Sequence, residues 1–193
     1  MNVSKKITQI LVEEHVVTID NFELYEYSIN AVLEMGGNIL ASLLLGILLE
    51  RFAETALFLL VIIPLRSYIG GWHAKRTRNC FIISMLIYLA SIYLPQVLCN
   101  MNMILCTSLF LLELLYVCLV APIDCLEKPL SESQKKEMKV VVRWILAFAG
   151  LLYIILLWLG FNQLCLEMFV ILLYACTSLL AEAKRKIRAA EEM

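Results

Sequence analysis

Apolar residues run through the chain in long blocks separated by short polar punctuation. Six blocks approach the ~20 residues that a helix needs to cross a bilayer. They cover 29–49, 52–70, 80–99, 103–122, 140–160 and 164–181, and each predicts a transmembrane helix. The connections at 50–51, 100–102 and 161–163 are very short, whereas those at 71–79 and 123–139 are longer and charged. The first block is the least uniform, because Glu34, Gly36, Gly37 and Asn38 interrupt its start. Pro64, Pro95, Pro122 and Pro129 lie at or near block ends or in a connection, where a missing N–H is easier to accommodate.

Ahead of the blocks, Val3, Ile7, Ile10 and Leu11 follow helical spacing, with Lys5, Lys6 and Glu13 off that face. This predicts an amphipathic helix on the inner membrane surface, with a soluble cap helix as the alternative. Glu13, Glu14, Asp20 and Glu23 break the apolar stretches here, which argues against a signal peptide. The expected fold is an all-α integral membrane protein with six transmembrane helices and an N-terminal interfacial helix. It is read as one polytopic domain: an interfacial segment 1–28, a six-helix bundle 29–181 and a cytoplasmic tail 182–193.

Composition supports lipid as the solvent. Of 193 residues, 62% are hydrophobic and 17% charged, against about half and a quarter in soluble domains. The net charge of −1 says little, but its distribution orients the chain. Of the sixteen Lys and Arg, all but Arg51 fall on one face of the six-span arrangement. The positive-inside rule then places both termini and both long connections in the cytoplasm. Five or seven spans would scatter the cations across both faces. Seven cysteines without CxxC or CxxH spacing predict neither a disulfide framework nor a structural metal. With His15 and His73 the only histidines, a zinc hydrolase is disfavoured. No cofactor and no nucleic-acid partner are expected.

The stretch RSYIGGWHAKRTRNC, 66–80, concentrates the candidate chemistry. A thiolate is the reactive form of cysteine, and cations or a helix N-terminus favour it. Cys80 opens the third block, with Lys75, Arg76 and Arg78 close in sequence. His73, with an ordinary pKa of about 6.5, is suited to accept the thiol proton. Seven residues of straight helix span about 10 Å, whereas a dyad needs about 3 Å. The segment must therefore fold back, and Gly70–Gly71 and Thr77–Arg78–Asn79 are the places available. A dyad shared between two protomers is the alternative. Glu34 and Arg66 lie at similar depth and are read as an ion pair bracing the glycine turn; Arg66 is alternatively a holder of the oxyanion or of the substrate's tail. Glu113, mid-block, is read as a packing residue or a cavity lining.

The string Arg66-x-x-x-Gly70-Gly71-x-His73-Ala74-x-x-Thr77-x-x-Cys80 resembles the signature of the accessory gene regulator B family. Ala121-Pro122-Ile123-Asp124 with Pro129, then a basic stretch through Lys139, is similar to that family's second cytoplasmic loop. The resemblance covers essentially the whole chain. It implies an integral membrane cysteine endopeptidase of Gram-positive quorum sensing, with Cys80 as nucleophile and His73 as base. It implies an AgrD-like propeptide substrate with an acidic C-terminal tail, cut through an acyl-enzyme that resolves into a thiolactone or lactone ring. It also suggests a homodimer. The clusters at 75–78 and 135–139, including Lys135 and Lys136, suit attraction of an acidic tail, although positive-inside orientation alone also accounts for them. Asn79 and Asp124 are candidates, by location only, for orienting His73. Two rival readings are a small peptide transporter, lined by Glu34, Arg66 and Glu113, and a non-catalytic membrane adaptor with basic loops.

Overall fold

In hydrocarbon a backbone has no water to bond with, so an apolar run satisfies its own N–H and C=O groups as a helix. The computed structural model follows this rule throughout. It describes residues 3–70, 77–123 and 131–191. Seven α-helices follow in order: α1 Val3–Glu13, α2 Phe22–Leu48, α3 Phe52–Tyr68, α4 Thr77–Val97, α5 Met103–Val120, α6 Glu132–Trp158 and α7 Asn162–Glu191. A 3-10 turn, Ile19–Asn21, leads into α2. No strand longer than an isolated bridge occurs among the described residues.

Among the described residues, five runs are long and apolar enough to cross a membrane: Ile19–Leu48, Asn79–Val97, Met103–Val120, Glu132–Trp158 and Asn162–Arg188. The chain is a multi-pass membrane protein. The second expected span is the 17-residue α3, about 25 Å long, somewhat less than the ~30 Å hydrocarbon thickness.

Helix ends differ from the apolar blocks in a consistent way. The helix α2 begins seven residues before 29 and runs through Gly36 and Gly37. The charged start of α6 is helical from Glu132, so Lys135, Lys136, Lys139 and Arg143 lie on its first turns rather than in a loop. Its start is fixed by a capping box: Gln134 N–H donates to Ser131 Oγ at 3.3 Å, and Ser131 N–H donates to Gln134 Oε1 at 3.0 Å. The helix α7 continues to Glu191, through most of the expected tail. At the front, α1 packs on α2 by burying Ser4 and Thr8, while Val3 and Ile10 point outward.

The helix α7 is the centre of the bundle, contacting α3, α4, α5 and α6. Its spanning window is 67% buried, whereas the other four are 11–28% buried. The outer faces are apolar, as lipid requires: Leu48, Ile104, Leu119, Trp144 and Trp158 are all exposed. Hydroxyls turn inward. Thr55 Oγ1 and Tyr88 Oη are 2.8 Å apart, joining α3 to α4, and Thr107 Oγ1 and Tyr153 Oη are 3.0 Å apart, joining α5 to α6. Such bonds have no competing water in the bilayer core. Close approach of α2 and α3 depends on Gly46, where a Cβ would collide with Thr55 Oγ1.

The residues just after α3 and α5 meet. Ile123 N–H donates to Ile69 O at 3.1 Å, and Gly70 pairs with Ile123 in an isolated parallel bridge. Gly70 has φ +72°, and a Cβ there would strike the Ile123 carbonyl oxygen. Both its conformation and its surroundings therefore demand glycine. By contrast Gly36 and Gly37 face open space in a helix. Gly70→Ala is expected to open the bridge, read as at least tenfold faster hydrogen exchange of the Ile123 amide, whereas Gly37→Ala should leave that amide unchanged.

Candidate active site

Cys80 sits on the first turn of α4, as its fourth residue. The helix starts earlier than expected: Thr77, Arg78 and Asn79, anticipated as a turn, form its opening turn. With no Gly or Pro at 77–80, nothing in the sequence stops the helix from extending back past Cys80. Any reversal that brings His73 near Cys80 must therefore fall before Thr77.

The Cys80 side chain is partly buried and lines a cavity of about 320 Å³ between α2, α3 and α4. Glu34 from α2 and Arg66 from the last turn of α3 line the same cavity. Arg66 also reaches the central helix: its Nη1 donates to Ser178 Oγ at 3.3 Å, and its guanidinium carbon lies 5.9 Å from the centre of the Tyr174 ring. A long cationic side chain inside the bundle is thus held at several points, which limits where its charge can go.

Below this polar group the cavity is mostly apolar, walled by Met35, Ile39, Leu59, Ile62, Met85 and Ile87. Asn38 and Ser42 on α2 and Ser84 on α4 extend the polar line into it. These residues, with Tyr174 and Ser178, were not singled out from the sequence. A signal existed: Glu34, Asn38 and Ser42 recur every four residues, as do Cys80 and Ser84, and Tyr174 and Ser178. Four-residue spacing places side chains on one helix face. Asn38 was read as an interruption of the first block rather than as part of that face.

Of the other candidates, Gly70 holds the Ile123 bridge beside the end of α3. Thr77 and Arg78 open α4, and their side chains lie outside the described part. Gly71, His73, Lys75, Arg76 and Asp124 lie outside the described residues altogether. Lys135 bonds Glu132 Oε1 at 3.1 Å on the exposed start of α6, and Lys136 is exposed there. Glu113 lines a different groove, between α5 and α7, with Tyr116, Leu173 and Cys176. No group of three or more His, Cys, Asp or Glu that could hold a metal converges among the described residues, and the described cysteines are free thiols.

No solved structure matches the chain. An AgrB-like protein of Clostridium perfringens strain 13 is 27% identical over 145 residues, spanning 72% of this chain and 68% of that protein. Protein FsrB of Enterococcus faecalis is 37% identical over 83 residues, 43% of this chain and 32% of FsrB. The family described as accessory gene regulator B matches residues 4–180. That match takes in α2 to α6 whole, all of α1 but Val3, most of α7, and the Arg66-to-Cys80 string. The chain belongs to the accessory gene regulator B family, and so takes part with an AgrD-like propeptide in the processing of autoinducing peptides for quorum sensing.

Proposed function

We propose that the chain is a membrane-embedded cysteine endopeptidase that removes the C-terminal tail of its propeptide through a Cys80 acyl-enzyme and closes the remaining peptide into a ring. The observation that carries this reading is the convergence of Cys80, Arg66 and Glu34, from three helices, on one cavity. Reactive groups gathered inside a bundle are expensive to keep there, and a transport path does not require a thiol among them.

In the proposed reaction the Cys80 thiol gives its proton to His73 and its sulfur attacks the scissile carbonyl. The C–N bond breaks, the proton passes to the departing amine, and the tail leaves. A thiol (or hydroxyl) within the acylated peptide then attacks the thioester. A ring thioester (or ester) forms, and Cys80 recovers its proton. Exchange between two thioesters is nearly balanced in free energy, whereas hydrolysis is strongly downhill. A site walled by Met35, Ile39 and Met85 favours the ring by excluding water.

The topology that goes with this reading has α3 as the sixth span and both termini in the cytoplasm. The site then faces the cytoplasm, where Lys135 and Lys136 attract an acidic tail. The amphipathic α1 lies at the inner surface.

Two outcomes are expected. In membranes holding the chain and its propeptide, the wild type releases the tail, and Cys80→Ala releases none detectable by mass spectrometry. Continued release by Cys80→Ala would remove Cys80 as the nucleophile and return the transporter or adaptor reading. Separately, Glu34→Arg and Arg66→Glu are each expected to lower tail release at least tenfold, and the double exchange to recover part of it. Without recovery, Glu34 and Arg66 do not act as an exchangeable charge pair, and Arg66 serves the substrate directly.

A further inference from the structure

Polar atoms inside a bundle in lipid are normally bonded to the protein, because an unbonded one costs free energy. Two acceptors in the Cys80 cavity depart from this. Glu34 Oε1 and Asn38 Oδ1 are both buried, and neither accepts a hydrogen bond from any described residue. They sit four residues apart on one face of α2, both facing the cavity that Cys80 lines. Four residues of helix rise about 6 Å. An extended peptide presents N–H groups along one edge every second residue, about 6.6 Å apart. The two spacings match within the reach of the side chains.

Charge selects which part of a substrate enters. Glu34 and Arg66 offset one another at the cavity's polar end, so an acidic tail gains no net attraction there and would then lie against Met35, Ile39, Ile62 and Met85, which is unfavourable. The segment before the cut carries no such penalty if its side chains are apolar. Its main chain still brings N–H groups that need acceptors away from water. The cavity volume of about 320 Å³ falls at the small end of ligand sites, about 300–1,000 Å³, enough for a short stretch of peptide.

We propose that α2 reads the main chain of the substrate: the residues before the scissile bond lie extended in the α2–α3–α4 cavity, with alternate N–H groups accepted by Glu34 Oε1 and Asn38 Oδ1. This rests on the reading of Cys80 as the nucleophile. Asn38 is a positioning residue, holding the carbonyl in front of the Cys80 sulfur without touching it. The two acceptors set a register, so cleavage occurs at a fixed distance from the bonded amides whatever the side chains between them. Such a device suits one enzyme acting at one bond of one peptide.

The test is a single-turnover acylation assay in proteoliposomes, using synthetic propeptides in which each of the four amide N–H groups before the cut is replaced in turn by N–CH3. On the wild-type chain, two replacements spaced two residues apart should each slow acylation about tenfold, the order expected for one lost hydrogen bond in a dry site. Asn38→Leu should slow the unmodified peptide by a similar factor and make one of those two replacements nearly silent. Equal penalties in the wild type and Asn38→Leu would overturn the assignment of Asn38. Penalties that are absent, or that show no alternation, would overturn the extended pose without any variant being needed. If the wild type forms no adduct even with the unmodified peptide, the Cys80 reading fails and this inference falls with it. That outcome is distinct from the other two, in which acylation proceeds.

Discussion

The structure depends on one constraint: in hydrocarbon a polar group must find its partner inside the protein or at the membrane edge. The chain meets it by turning polar side chains toward the seams between helices. Thr55 and Tyr88 tie α3 to α4, and Thr107 and Tyr153 tie α5 to α6. Arg66 reaches across to Ser178 and Tyr174 on α7. The seam between α2, α3 and α4 is filled differently. There Glu34, Asn38, Arg66 and Cys80 surround a space rather than closing it, and it is to this seam that the proposed reaction is assigned.

Two features hold this seam in place. The buried central helix α7 holds the Arg66 guanidinium through Ser178 and Tyr174. The Gly70–Ile123 bridge joins the end of α3 to the end of α5, which ties the connection leading to Cys80 to the connection leading into α6. A glycine at positive φ against a backbone carbonyl leaves that joint little freedom. The bridge at Gly70 and the start of α4 at Thr77 bound the connection in which His73 falls, itself outside the described residues.

Much of the architecture was legible in the sequence. The order of the apolar blocks matches the order of α2 to α7, and their short connections match the tight turns at Glu50 and Gly160, both at positive φ. Helix starts were less legible, because hydropathy marks where a helix is greasy rather than where it begins. The first turns of α6 are charged and still helical, and the Ser131–Gln134 capping box was the sign of it. The Glu34–Asn38–Ser42 face was written in the four-residue spacing. Which helices enclose it was not, because long helices that are apolar all round give no lateral direction. The meeting of Gly70 with Ile123 joins residues fifty-three positions apart, and no local pattern announces it.

The central claim is that a peptide becomes covalently attached to Cys80 in this seam. It is tested most directly by supplying the membrane-embedded chain with a propeptide whose ring-closing cysteine is replaced by alanine, so that an acyl-enzyme has no internal nucleophile to release it. Intact-mass analysis and peptide mapping then read the product. The account predicts one tail-less propeptide per chain, bound as a thioester to Cys80 and removed by hydroxylamine. Release of the tail with no adduct on Cys80, or an adduct on another cysteine, would contradict it.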